Sequence, residues 1–268
     1  MVAFPHPGAL RFIRVRIVSY NILDGGEGRA DPVAEVIEAQ QPDIVALIEA
    51  DVPAVVDRIA SRLKMDFILA AGKRHGAAIL SRWRIIESIN HSLLHDEFSD
   101  AVLEATVAEP NGTEWTVAAI HLHPRARIED EQHREREIAV ILDIFAKNRS
   151  ENRPHLLAGD FNANSPIQKI DPEKCKPRTR EDFAANGGRL PRAAIQKLLA
   201  AGYADTLQTL HPTEAQTLGS FTTQYPGQRV DYIFTFGVEA NRVKEARIEH
   251  DRLAQYASDH FPVVAEIG

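Results

Sequence analysis

The chain has 268 residues, 44% of them hydrophobic and 26% charged, and a formal charge of −7 from 31 Lys and Arg against 38 Asp and Glu. This composition excludes disordered, collagenous and fibrous classes, and the acidic balance weighs against a long nonspecific nucleic-acid footprint. The single cysteine, Cys175, excludes an intrachain disulfide and a cysteine-based zinc site, while apolar runs such as 44–48 and 138–142 are five residues long, against the roughly 20 of a membrane span.

Arg11, Arg14 and Arg16 interrupt the place where a leader's apolar core would lie, so the expectation is a cytoplasmic chain with no transmembrane segment. Residues 14–20 alternate like a strand. Asp31 and Pro32 then read as an N-cap and a first-turn proline, followed by Val33, Val36 and Ile37 at helical spacing. Residues 43–49 read as a buried strand, and Val56, Ile59, Ala60 and Leu63 after Pro53 as an amphipathic helix. The middle is strand-rich, with segments at 67–70, 77–80, 84–88, 101–108 and 115–121 separated by short turns, Asn111-Gly112 among them. A long helix over 128–147 and a short strand at 155–158 follow.

Residues 163–190 carry Lys169, Lys174, Lys176, Arg178, Arg180 and Arg189 and read as a long basic loop: a solvated surface, with a phosphate-facing lid as the alternative. A helix over 191–201 and strands at 229–234, 243–248 and 263–267 complete the chain. No repeat or linker divides it, so residues 1–268 read as one mixed domain, expected to be monomeric.

The polar residues fall at the ends of these strands. Asn21 follows the first and Glu49 ends the second; His121 closes the strand at 115–121; Asp160 and Asn162 follow the one at 155–158. Asp231 lies in the strand at 229–234, and Asp259-His260 precede the last. Four carboxylates, two histidines and two carboxamides suit a hard divalent cation, Mg²⁺ or Mn²⁺, and a phosphate ester.

Seven segments, in this order, carry a resemblance: Ser19 to Leu23, Pro42 to Glu49, Ala78 to Arg82, Ile120 to Leu122, Gly159-Asp160-Phe161-Asn162, Arg229 to Ile233 and Ser258-Asp259-His260. The chain resembles the endonuclease/exonuclease/phosphatase superfamily of DNase I-like nucleases, AP endonucleases, sphingomyelinases and inositol phosphatases. The resemblance implies an α/β (α+β) four-layer sandwich, two packed mixed β-sheets flanked by helices, with the site at one end. It also implies that Asn21, Glu49 and Asp259 hold the metal and that Asp160 activates the attacking water. Asn162 and His121 would contact the phosphate, and His260, paired with Asp231, would contact it and help move protons. Two features depart from the family pattern: Ile48 stands where a Gln often precedes the glutamate, and His123 and Arg125 follow His121, read as substrate contacts.

The bland alternatives are specific. His133 reads as a solvated helix residue, and Gly25-Gly26-Glu27-Gly28 as a turn beside the site. His121-Leu122-His123 could form an HxH zinc site, and Ser258-Asp259-His260 a hydrolase triad, although no Gly-x-Ser-x-Gly elbow accompanies it. Nuclease-type phosphodiester hydrolysis leads the functional readings. A phospholipid, an inositol phosphate or a small nucleotide are alternative phosphate-ester substrates beside nucleic acid, and a non-catalytic metal- and phosphate-binding protein is the alternative of another class.

Overall fold

The structure, a computed structural model, describes residues 14–268; Arg11 lies outside them. Twelve strands are present among the described residues: β1 (Val15–Asn21), β2 (Ile44–Ile48), β3 (Asp66–Ala70), β4 (Ala77–Ser81), β5 (Arg84–Asn90), β6 (Val102–Ala108), β7 (Glu114–His121), β8 (His155–Asp160), β9 (Ala204–Asp205), β10 (Asp231–Phe236), β11 (Val243–Ile248) and β12 (Val263–Ile267). They form two six-stranded sheets, ordered β11-β12-β1-β2-β4-β3 and β5-β6-β7-β8-β10-β9. The helices are α1 (Ala30–Ala39), α2 (Pro53–Leu63), α3 (Ile128–Ile144), α4 (Ala146–Ser150), α5 (Pro177–Ala185), α6 (Ala193–Ala200), α7 (Thr206–Leu210) and α8 (Ala254–Ala257). None is long and apolar enough to cross a membrane.

Each sheet is mixed and has one parallel pair, β1 with β2 and β7 with β8. All other pairings are antiparallel. Parallel neighbours need a crossover, which α1 supplies in the first sheet and α3 with α4 in the second. Parallel strands also end at the same edge. Because β1 packs against β8 and β2 against β7, the carboxyl ends of both pairs bring Asn21, Glu49, His121 and Asp160 together.

The alternation of side chains explains how the second sheet is covered on both faces. Val117, Ala119, Leu156 and Ala158 join the core that runs through both sheets and takes in α1 and α2. Ala118, Ile120 and Leu157 turn the other way and pack with Ile138, Ile141 and Phe145 of the α3 segment and Ile195 and Leu198 of α6.

Several local readings change. Helix α1 begins at Ala30 with Arg29 at its cap position, so Asp31 is not the N-cap; its carboxylate holds Arg58 instead. The helix expected over 128–147 is interrupted at Phe145, which separates α3 from α4. The segment 163–190 is not all loop, because α5 lies within it. That helix buries only Thr179 and Asp182, and it docks through polar contacts: Asp182 accepts from the Arg127 guanidinium at 2.7 Å, and Asn186 Nδ2 donates to the Ala126 carbonyl at 2.7 Å.

The start of α3 buries one polar face, through Glu131, Arg134 and Glu137. Arg134 donates to Glu131, to the His123 carbonyl and to the Arg125 carbonyl, while Glu137 accepts from the Ser99 and His123 amides. His133 is partly buried, stacked on His123 with ring centroids 4.5 Å apart.

Beneath β10, Arg229 and Asp205 form a fully buried pair at 2.6 Å. Arg229→Ala would leave the Asp205 carboxylate buried without its counter-charge. The expected cost is about 3–5 kcal/mol, measured as a lower urea midpoint.

Candidate active site

Asp160 is the focus of the cleft. Its Oδ1 accepts the Asn162 backbone N–H at 2.8 Å, and its Oδ2 accepts the Asn21 side-chain amide at 3.2 Å. The same oxygen lies 3.7 Å from Nε2 of both His121 and His260. Antiparallel pairing of β8 with β10 places Asp231 directly opposite Asp160, and Asp231 Oδ2 meets His260 Nδ1 at 2.8 Å. Asn21 bridges the two sheets, since its amide also donates to Glu49 Oε1 at 3.0 Å. The Asp24 amide donates to Glu49 Oε2 at 2.7 Å, which puts the turn at Gly25-Gly26 beside the site. Three lining residues, Glu49, Arg125 and Asn162, hold positive φ of 59°, 79° and 49°, a conformation that costs a non-glycine residue energy and aims its side chain out of the regular path.

The cleft is about 210 Å³ and is lined by Glu49, His121, Asp160, Asn162, Asp259 and His260, with Arg125 at its side. Burial, followed by the facing Asp231, raises the Asp160 carboxyl above its ordinary value. Burial alone would push the His260 imidazole down, but Asp231 and Asp160 outweigh it and hold the ring protonated well above its usual range. His121 has no carboxylate at hydrogen-bond distance, so burial prevails and lowers it. Its Nδ1 is buried without a partner. For Glu49, burial opposes ionisation but is outweighed by His121, the Asp24 amide and the Asn21 amide, which keep it below the usual carboxylate range.

In each of two sets the ligating atoms lie within 4.8 Å of one another: Asp24, Glu49 and His75 form one, and Asp160, Asp231 and His260 the other. Asp259 Oδ1 is buried without a hydrogen-bond donor, as is Asp231 Oδ1. An orphaned Asp259 oxygen in a cleft that the ionised Glu49 also lines fits a hard divalent cation.

Other sequence-selected residues behave differently. His123 does not line the cleft: it bonds Ser99 Oγ at 2.9 Å and Asp130 at 3.1 Å. His121 and His123 therefore face different partners, which removes the HxH zinc reading. Ser258 Oγ donates to the Asn21 carbonyl at 2.7 Å and is a structural tie rather than a nucleophile. Ile48, at the usual Gln position, is wholly buried in the sheet.

The structure adds residues that no motif marked. His75 enters the cleft with its Nδ1 2.8 Å from Asp51, whose hydrogen bond raises the imidazole to about 9. Phe221 packs on His260 with ring centroids 4.4 Å apart, and Lys176 and Asp182 also line the cleft. The closest sequence signal was the basic run containing Lys176.

Gly159, just before Asp160, has φ 153°, and a Cβ there would lie 1.9 Å from the Ile120 carbonyl oxygen. Gly159→Ala must push β7 from β8 and is expected to cost about 3 kcal/mol or more, checked by thermal unfolding.

A family model described as the endonuclease/exonuclease/phosphatase family matches residues 18–260. No curated protein matches the chain. Among solved structures it is similar to a 3′ phosphatase from Neisseria bound to a product DNA hairpin, with 23% identity, a TM-score of 0.68, and 95% of this chain and 99% of that one covered. It is also similar to an AP endonuclease from Archaeoglobus fulgidus, with 23% identity, a TM-score of 0.67 and coverage of 94% and 98%. A third neighbour is an endonuclease/exonuclease/phosphatase from Beutenbergia cavernae, with 20% identity, a TM-score of 0.66 and coverage of 95% and 71%. These likenesses establish the two-sheet fold.

Proposed function

Because the chain belongs to the endonuclease/exonuclease/phosphatase family, we propose that it is a divalent-metal-dependent phosphodiesterase of the nuclease type. The observation that carries the reading is the convergence on Asp160 of the Asn21 amide, His121 and the Asp231–His260 pair within one cleft.

In this reading Asn21, Glu49 and Asp259 hold Mg²⁺ or Mn²⁺, which supplies charge neutralisation on the phosphoryl oxygens. Asp160 accepts a proton from water as that water attacks phosphorus opposite the leaving oxygen. The Asn21 and Asn162 donors fix the orientation of the Asp160 carboxylate. Asn162 spends one amide hydrogen on the Leu122 carbonyl at 2.9 Å and keeps the second for a phosphate oxygen. His260, oriented and kept cationic by Asp231, donates from Nε2 to a non-bridging oxygen, and His121 borders the same space. Arg125 contributes positive charge at the cleft wall. No covalent intermediate is needed.

The test is hydrolysis of bis-p-nitrophenyl phosphate beside p-nitrophenyl phosphate, in EDTA and then with Mg²⁺ or Mn²⁺. Diester cleavage that stops in EDTA and returns with metal is the expected result. Preference for the monoester would move the protein to the phosphatases. Metal binding with no turnover on any phosphate ester would favour the non-catalytic reading.

A further inference from the structure

Three of the five tyrosines, Tyr20, Tyr203 and Tyr232, are buried, while Tyr225 and Tyr256 are 37% and 68% exposed. Both exposed rings line one groove of about 640 Å³, together with Thr222, Thr223, Gln224 and Gln255. The groove shares Lys176 and Asp259 with the cleft around Asp160, so the two spaces adjoin.

Lys176 stands where they meet. Among the cationic side chains of the cleft, Arg74 is held by Asp100, His75 by Asp51, Arg125 and Arg178 by Asp182, and His260 by Asp231. Lys176 alone, among the described cationic residues of the cleft, has no carboxylate within 4.0 Å, and Asp259, Asp160, Asp182 and Glu49 favour its charged form from farther away. Its ammonium lies 4.0 Å over the Phe221 ring, which in turn packs on His260. A half-buried ammonium that rests on a ring face and bonds no carboxylate directly has its N–H donors open to an anion's oxygen.

We propose that this groove is a nucleoside subsite for an unpaired strand: Lys176 takes a phosphate oxygen, and Tyr225 and Tyr256 stack the base of the adjoining nucleotide. The proposal rests on the phosphodiesterase reading and specifies its substrate. Stacking on exposed rings requires a free base face, which a duplex covers and a single strand offers. The exposed Gln224 and Gln255 amides supply donors and acceptors that suit base edges rather than an acyl chain. A footprint of one or two nucleotides is also compatible with a chain of charge −7, where a long duplex track is not.

The test is fluorescence anisotropy of a labelled thymidine octamer and of a base-free tetrahydrofuran octamer with the same phosphates. Both are measured on Asp160→Asn protein with Mg²⁺, so that neither probe is cleaved. The thymidine octamer is expected to bind at least about tenfold more tightly than the base-free one. It should also bind more tightly than the same sequence in a duplex. Tyr225→Ala with Tyr256→Ala should bring the ratio of the two octamers close to one, Tyr225→Phe with Tyr256→Phe should keep it, and Lys176→Met should weaken both octamers alike. Equal binding of the two octamers, a base preference that survives loss of both rings, or tighter binding of the duplex would overturn the subsite. Parallel assays of wild-type protein on bis-p-nitrophenyl phosphate separate the two failures. Metal-dependent turnover without base preference removes only the groove, whereas no turnover removes the reading beneath it.

Discussion

Asp160→Asn is expected to lower kcat for diester hydrolysis by about 10³-fold while raising the stability of the metal-free protein. The loss follows from the role proposed for the carboxylate, since a positioned general base contributes typically 10²–10⁴-fold and an amide cannot accept the proton. The substitution keeps the volume of the side chain and one of the two accepted hydrogen bonds, the weaker 3.2 Å bond from Asn21 being the one given up. The gain in stability has an independent origin. Burial and Asp231 raise the Asp160 carboxyl above its unfolded value, so the native state favours the protonated form. Its ionisation above that raised value therefore costs stability, and a neutral amide removes the cost. Initial rates with Mg²⁺ and thermal midpoints in EDTA at pH 8 measure the two effects. Turnover within tenfold of wild type would exclude Asp160 as the base, and a lower midpoint would contradict the electrostatic account.

Asp231→Asn is the second large effect, with an expected fall in activity of about 10²–10⁴-fold, as for carboxylates that orient an active-site histidine. Asp231 is the neighbour that does most to keep His260 protonated against the opposing effect of burial. Without its charge and hydrogen bond the imidazole falls toward its ordinary value of about 6.5, with Asp160 and Asp259 still opposing burial. The sign is definite: a raised histidine is charged below its folded pKa, so wild-type His260 stays cationic through neutral pH while the variant loses its proton as pH rises. The deficit should therefore deepen between pH 6 and pH 8. Rate profiles of both proteins, normalised to wild type at each pH, check this. A deficit constant across that range would mean that Asp231 acts only by position. His260→Ala should lose activity at every pH.

Most strands were legible because their residues are apolar in runs too short for long helices and bounded by turn residues, as at Ile44–Ile48 and Val263–Ile267. The GDFN segment was legible because its constraints are local: Gly159 lets β8 approach β7, and Asn162 turns the backbone so that its amide reaches Asp160. Helix α5 was not legible. It has no apolar stripe, and it is held by Asp182 and Asn186 contacts with a segment some sixty residues earlier. The fates of His123 and His133 were hidden for a similar reason, since their partners come from the turn before β6 and from α3.

What the sequence by itself determined is the set of strand-end groups and the family to which they belong, because alternation, turn chemistry and short motifs act over a few residues. Only the tertiary structure decided that His75, Lys176, Asp182 and Phe221 wall the cleft, that His123 leaves it, and that two exposed tyrosines continue it as a groove. Those outcomes depend on which strand ends and loops meet once two sheets pack, and on which charges remain unpaired when they do. Such facts belong to pairs of residues far apart in the chain, and no local pattern encodes them.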